Sequence, residues 1–488
     1  MSKNLDQNWA STLQSQNLSE LIHERATPSS VFATCDDGRT FTRADFWSIA
    51  GRMASTLTSA GAKPGDRIAV QVEKSIEALA LFWACVRGGF IFLPLNTAYT
   101  PSEISYFLND AEAFAFVVDP KKQIDTTAKI FTLDDAGHGT ILDGSEDVTN
   151  APATWDDIAA ILYTSGTTGR SKGAMLTHAN LASNALALID IWKFTADDVL
   201  LHALPVYHTH GLFVGMNTVL LSGGKLLFHR KFNPEAIISD LHKATAFMGV
   251  PTFYTRLMPH VTRDNTRDMR LFVSGSAPLL AETHTEFETR TGHAILERYG
   301  MTETNMIASN PYDGVRRAGT VGFPLPHVEV QINDGMIEVR GPNVFLGYWR
   351  NPEKTREDKR DDGFFITGDL GHIDAHGYLV ISGRAKDLII TGGFNVYPKE
   401  IEEVIDALPG VIESAVIGLP HKDFGEAVTA VVATHDVLDE RTLIDGLKIK
   451  LAAFKVPKRI IFVTELPRNA MGKVQKAELR KGYVRFYG

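Results

Sequence analysis

The sequence predicts an α/β fold with a large N-terminal part, built of parallel and mixed sheets layered with helices, and a small C-terminal α+β part. Three observations carry this. Short apolar runs alternate with helical periodicity over residues 42–118, the same rhythm resumes over 199–274, and a shorter strand and helix pattern starts afresh after Asp387. A chain of 488 residues also exceeds what one hydrophobic core commonly supports, so at least two domains are expected.

Thr42 is placed to cap a helix that presents Phe46, Ala50, Met53 and Leu57 on one face and ends near Gly61. A strand at 67–72, a helix through 78–86, a strand at 91–95, a helix opening near Pro101 and a strand at 114–118 follow. This βαβαβ order reads as a parallel sheet covered by helices. Further strands are expected at 199–204, 225–228, 246–250 and 271–274, with Gly-, Pro- and Ser-rich loops at 205–211, 251–252 and 275–278. Ligands of open α/β sheets bind beyond the carboxyl ends of the strands, so these loops are placed to build one site. In the C-terminal part, Ile401, Val404, Ile405 and Leu408 share a helix face that Pro409-Gly410 stops. Strands at 415–418, 428–433 and 460–463 and a helix at 443–454 complete it.

Hydrophobic and charged contents of 44% and 22% are those of an ordinary globular protein. A formal net charge of −9 disfavours a general binder of nucleic acid or anionic membrane, so any anion must be bound by local design. Cys35 and Cys85 form no disulfide or metal-binding pattern. The N-terminus lacks a secretory apolar stretch and the strongest apolar run, 78–86, is too short to span a bilayer. The cytoplasm is the expected compartment, and no obligate protein partner is evident.

The densest chemical signal is Tyr163-Thr164-Ser165-Gly166-Thr167-Thr168-Gly169-Arg170-Ser171-Lys172-Gly173, directly after an apolar run. Gly166, Gly169 and Gly173 let the backbone approach an anion closely, so that successive N–H groups converge on phosphate oxygens. Thr164, Ser165, Thr167 and Thr168 add hydroxyl donors, and Arg170 and Lys172 add positive charge. The segment reads as an ATP-binding loop; a polar surface loop is the alternative. A P-loop requires Gly directly before Lys and Ser or Thr after it, whereas Ser171 precedes Lys172 and Gly173 follows.

Four more segments follow: Arg298-Tyr299-Gly300-Met301-Thr302-Glu303, Thr367-Gly368-Asp369-Leu370, Gly383-Arg384-Ala385-Lys386-Asp387 and Pro467-Arg468-Asn469-Ala470-Met471-Gly472-Lys473. One short motif recurs by chance, but five in this order carry weight. Together they resemble the adenylate-forming superfamily of acyl-CoA synthetases, adenylation domains and luciferases, from the phosphate loop to the last few residues. The resemblance implies a large ATP- and acyl-binding domain over 1–385 and a small mobile domain over 386–488. It also implies a hinge near Lys386, two half-reactions, and ATP, Mg²⁺ and coenzyme A as cofactors.

Attack of a carboxylate on the α-phosphate of ATP brings two anions together, so positive charge is needed where negative charge accumulates. The resemblance assigns that role to Lys473, in a turn that a mobile domain inserts between acid and phosphate. Without it, Lys473 reads as a solvated lysine in a tail with Lys476, Arg480 and Lys481. Glu303 is implied as the Mg²⁺ ligand, a hard oxygen donor, with Thr302 beside the α-phosphate; its position equally suits a helix start. Asp369 and Arg384 are implied to hold ribose and phosphate oxygens, the alternative being a salt bridge within a sheet. Ser274, Gly275, Ser276 and Ala277 resemble the wall against which adenine lies, Tyr299 stacks on the base, and nucleotide contacts extend to Glu297, Gly300 and Met301. Gly392, Gly393 and Phe394 resemble the loop that lines the CoA tunnel once the small domain has turned.

The acyl-pocket positions of relatives correspond to His208, His210, Arg256, Ser274, Gly275, Arg298 and Met306. A pocket for an aliphatic or aromatic acid needs apolar walls, because an unpaired buried guanidinium is costly. Two arginines at its floor imply a second carboxylate on the substrate; a structural ion pair with an acid elsewhere in the chain is the alternative. Met306 and the histidine loop limit length, so the expected substrate is malonate, with methylmalonate its nearest competitor. Ala203-Leu204-Pro205-Val206-Tyr207-His208-Thr209-His210-Gly211-Leu212 and Gly249-Val250-Pro251-Thr252-Phe253-Tyr254-Thr255-Arg256 resemble the bacterial malonyl-CoA synthetases in particular. His208 reads as a gate to the CoA tunnel and His210 as a pocket wall; their spacing occurs in metal sites too, but no third ligand is evident. The rival functions are a synthetase for another short acid, an adenylation enzyme that loads a carrier protein and a catalytically silent nucleotide binder.

Overall fold

The computed structural model describes residue 15 and residues 17–25, 27–146, 150–164, 171–392, 394–469 and 472–488. Thr42 does cap a helix, Arg43–Ser59: its hydroxyl accepts from the Asp45 N–H while the Asp45 carboxylate accepts from the Thr42 N–H. Phe46, Ala50, Met53 and Leu57 are buried beneath it. The helix packs on Ile76–Gly88, whose residues are all buried, which is why its middle, 78–86, is apolar on every face.

The alternating region forms a seven-stranded sheet. Ile158–Thr164, Ile91–Pro94, Arg67–Gln71, Ala115–Val118 and Lys129–Thr132 run parallel, and Lys172–Thr177 and Gly347–Tyr348 continue it antiparallel. Thr164 pairs with Lys172, so the glycine-rich segment joins two antiparallel strands, whereas a P-loop opens a helix.

A nine-stranded sheet takes its parallel centre from Val31–Cys35, Lys225–Phe228, Val199–His202, Ala246–Gly249, Leu271–Ser274 and Leu296–Met301. Thr40–Thr42 closes one edge antiparallel; Asn305–Ser309 and Phe323–Pro324 close the other. A third, antiparallel sheet orders Glu329–Asn333, Met336–Arg340, Phe365–Ile373 and Leu379–Arg384. Its first turn is Asp334-Gly335, both at positive φ, as a two-residue hairpin demands.

After the short turn Ala385–Asp387, a five-stranded sheet combines Ile389–Thr391, Phe394–Val396, Glu413–His421, Gly425–Ala433 and Arg459–Val463. It has cores of its own, with Ile401, Ile405, Val416, Val428 and Leu447 in one and Ile417, Val431, Leu466 and Leu479 in the other. The central strand pair is longer than its apolar runs predicted, and the expected helix at 443–454 is Glu440–Lys450, capped by Asp439. Cys35 and Cys85 are buried and unpaired. Among the described residues, no helix is long and apolar enough to cross a membrane.

Candidate active site

The carboxyl ends of both large sheets, one end of the third sheet and the Lys473 turn converge on a cavity of about 560 Å³. Strand alternation decides what the Leu296–Met301 strand offers it. Arg298 and Gly300 face the cavity; Glu297 and Tyr299 face away and are not among its lining residues. Glu297 accepts from the Leu279 N–H, and burial raises its carboxyl to about 7. The Tyr299 hydroxyl donates to Asp369 Oδ2 at 2.5 Å, and Arg384 Nε meets Asp369 Oδ1 at 2.6 Å. Asp369 and Arg384 are register partners in adjacent strands, so the salt bridge within the sheet is present. Arg384 also lines the cavity, whereas Asp369 is buried behind it.

Arg298 is 3% exposed, and its Nε and Nη2 have no hydrogen-bond partner among the described residues. Burial pushes its guanidinium down to about 9. No ion pair holds it among the described residues, so the structural alternative for this arginine is not observed. Gly275, expected on the adenine wall and among the acyl-pocket positions, leaves the space that Arg298 fills: a β-carbon there would stand 2.3 Å from the arginine Cζ. Ser274 Oγ and His210 Nε2 are likewise buried without partners among the described residues. Ser276, at φ +70°, lines the cavity with its hydroxyl 3.3 Å from His210 Nδ1. Met306 is buried and closes the cavity on the same side.

Arg256 does not join this group. The helix Pro251–Leu257 buries Tyr254 and Leu257 and turns Arg256 to the exposed side, where its guanidinium lies 4.9 Å from the Phe232 ring centre. The expected pair of floor arginines is therefore a single arginine, because a residue two positions from Tyr254 stands on the other side of the helix.

Lys473 does enter the cavity. Its N–H donates to Asn469 Oδ1 at 3.0 Å, and its carbonyl accepts from the Asn469 N–H at 2.9 Å, closing a tight turn in which Gly472 takes φ +74°. Burial, then the nearby Arg384, pushes the Lys473 ammonium down to about 8. His208 lines the cavity too; burial, with Lys473 and Arg298 nearby, drives its imidazole down to about 3, so it is neutral. Burial also keeps His210 neutral.

Glu303 sits in the turn between Leu296–Met301 and Asn305–Ser309, not at a helix start. Its Oε1 accepts from Tyr348 at 3.2 Å and Thr164 at 3.5 Å, and burial raises its carboxyl. Thr302, Thr164, Met301 and Lys172 line the same region. Tyr348, Lys354 and Asp358 also line it, with Lys354 Nζ 2.7 Å from Asp358 Oδ1. Sequence reasoning missed all three, for they belong to no motif and are brought in by the Gly347–Tyr348 edge strand and the helix Pro352–Asp358 behind it. Ser165, Gly166, Thr167, Thr168, Gly169 and Gly393 lie outside the described residues.

The AMP-binding enzyme family matches residues 23–349, and the AMP-binding enzyme C-terminal domain matches 400–473. The chain belongs to the AMP-binding enzyme family. It is an ATP-dependent, adenylate-forming CoA ligase. Over 97% of its length it is 54% identical to MatB from Rhodopseudomonas palustris, covering 99% of that chain, and it superposes on the ATP-bound form with a TM-score of 0.95. Against the apo form of the same protein the score is 0.82. A malonate–CoA ligase of Arabidopsis thaliana is 35% identical, with 86% of this chain and 78% of that protein covered. A feruloyl-CoA synthase of Amycolatopsis is 34% identical, with 91% and 94% covered.

For an AMP-binding enzyme, the region around Glu303 suits Mg²⁺ that arrives with ATP. One buried carboxylate flanked by two hydroxyls provides an oxygen ligand, and no group of three or more acidic, His or Cys side chains forms a cage among the described residues. Mg²⁺ is commonly held this way, by one or two carboxylates plus substrate phosphates and water. Gly392 and Phe394 lie on the surface of the small domain, Phe394 being 54% exposed and stacked on Phe454; neither lines the cavity.

Proposed function

We propose that this enzyme joins malonate to coenzyme A, and accepts methylmalonate as a second substrate. The observation that carries the choice of acid is the buried guanidinium of Arg298, whose Nε and Nη2 have no partner among the described residues, with Ser274 Oγ and His210 Nε2 unpartnered there as well. The 54% identity to MatB and the 35% identity to a malonate–CoA ligase of Arabidopsis thaliana, against 34% to a feruloyl-CoA synthase, support the same acid. A diacid supplies the carboxylate that Arg298 lacks, through charge-assisted hydrogen bonds. If the Ser276 hydroxyl donates to His210 Nδ1, the imidazole proton sits on Nε2 and is a further donor. Met306 leaves room for a short chain between the two carboxylates.

In the first half-reaction a carboxylate oxygen of malonate bonds to the α-phosphorus of ATP, and the bond to the bridging oxygen breaks to release pyrophosphate. Lys473 and Arg384, both reaching the cavity, are the cations for the charge that gathers on the α-phosphate. Glu303 would hold Mg²⁺ arriving with ATP, which would supply charge neutralisation on the polyphosphate. Arg298 holds the distant carboxylate and so orients the reacting one. In the second half-reaction the CoA sulfur bonds to the acyl carbon and AMP leaves with the electron pair of the acyl–oxygen bond. The surface position of Gly392 and Phe394 supports a turn of the small domain about Lys386 between the steps, and His208, neutral and beside Lys473, is the gate for the thiol.

The test is a series of mono- and dicarboxylic acids from acetate to adipate, scored by CoA-dependent AMP release. Malonate and methylmalonate should lead. Butyrate turned over as well as malonate would remove the diacid reading while leaving the adenylation chemistry intact.

A further inference from the structure

We propose that Arg468 and Glu413 form a positioning pair that sets Lys473 for the adenylation step, an inference that rests on the role given to Lys473 above. Three hydrogen bonds of Asn469 shape the Lys473 turn: its carbonyl accepts from Gly472, its amide donates to the Lys473 carbonyl, and its side chain receives the Lys473 N–H. Arg468 reaches outside. Its Nη1 donates to the carbonyl of Gly472, next to the lysine, and its Nη2 to the carboxylate of Glu413. Glu413 is the first residue of the strand Glu413–His421, which pairs along its whole length with Gly425–Ala433. One guanidinium thus ties the lysine turn to the most extensively paired strands of the small domain.

On the other side, Gly472 faces the large domain. A β-carbon on Gly472 would stand 3.4 Å from Thr252 Oγ1, at the start of the helix Pro251–Leu257. The turn therefore lies between a paired strand of the small domain and the helix Pro251–Leu257, and Lys473 extends from it towards Arg384, Asp369, Arg298 and Glu303. A small drift of the turn moves the ammonium out of line with the α-phosphate.

The Arg468 and Glu413 side chains are 30% and 23% exposed, so their pairing contributes little to global stability. Placement of a catalytic group is more sensitive: an error of about 1 Å costs up to ~10²-fold in rate. This separates a positioning role from a merely structural one. Only adenylation uses Lys473, and the thioester step with supplied malonyl-AMP serves as an internal control.

The experiment compares Arg468→Ala, Arg468→Lys, Glu413→Gln and Lys473→Ala in the full chain, measuring pyrophosphate release from malonate and ATP and thioester formation from malonyl-AMP and CoA. Arg468→Ala should lower kcat for adenylation by about 10- to 100-fold, with KM values for ATP and malonate and the thioester step nearly unchanged. Glu413→Gln keeps an acceptor and should lose less. Arg468→Lys should fall between, because one ammonium does not reproduce the planar fork that meets both acceptors. Thermal melting of each variant checks the fold. Equal loss in both half-reactions, or full adenylation by Arg468→Ala while Lys473→Ala is dead, overturns the proposal. Full adenylation by Lys473→Ala would instead remove the role of the lysine itself, and this inference with it.

Discussion

A β-carbon on Gly275 would stand 2.3 Å from Cζ of Arg298, so the arginine occupies the space that any other residue at 275 would fill. Gly275 has no positive φ in this structure, and its lack of a side chain is needed for space rather than for backbone conformation. Gly275→Ala should therefore displace the guanidinium without unfolding the Leu271–Ser274 strand end. The expected result is a malonate KM raised by about 10- to 100-fold, as for a binding group moved by about 1 Å, with the KM for ATP little altered. Steady-state kinetics with each substrate varied in turn distinguishes the two, and a malonate KM that stays put would mean that Arg298 does not meet the acid.

Arg298→Ala removes the cation itself. Leaving a buried carboxylate unpaired costs about 3–5 kcal/mol, which at roughly 1.4 kcal/mol per decade predicts a loss of about 10²- to 10⁴-fold in kcat/KM for malonate. Butyrate has no second carboxylate to lose a partner, so the gap between the two acids should shrink. Competition between malonate and butyrate measures that gap directly; an unchanged ratio excludes Arg298 from the acyl pocket.

Much of this site was legible because each motif combines a local signal with a chemical one. Thr42 and Asp45 announce a helix start, the apolar runs ending at Gly249 and Ser274 announce parallel strands, and Gly472-Lys473 announces a turn that carries a cation. Arg256 stands outside the pocket for a geometric reason: a motif position does not carry helix phase, and Tyr254 and Leu257 claim the inner face. The Asp334-Gly335 hairpin carried a sequence signal for its turn, but a turn does not say which sheet its strands join. Tyr348 and Asp358 reach Glu303 only through tertiary pairing of an edge strand, which no local pattern encodes.

Tyr299 and Asp369 supply a stability test. The buried Asp369 carboxylate is held by Tyr299 at Oδ2 and Arg384 at Oδ1. Tyr299→Phe takes away one charge-assisted hydrogen bond and leaves the ring in place. A loss of about 1.5–3 kcal/mol is expected, read from the urea midpoint at constant slope. A midpoint within error of the wild type would show that Arg384 alone satisfies the carboxylate.

The pH dependence of adenylation follows from Lys473. Its proton is held less tightly than the ordinary 10.5, at about 8, because burial and Arg384 disfavour the charged form while Asp369 opposes them. Adenylation needs the ammonium, so kcat/KM for pyrophosphate release should fall as pH rises through about 8, the free-enzyme value. The linked stability effect has the opposite sign: between about 8 and 10.5 the unfolded chain holds a proton that the folded chain has released, so stability rises with pH across that window. His208, already pushed down to about 3, contributes no limb near neutrality. Lys473→Arg is the decisive control, since a guanidinium stays charged throughout. Its rate should be lower, but the alkaline fall should vanish; a fall that persists in this variant belongs to another group, and the assignment of Lys473 as the titrating cation would be wrong.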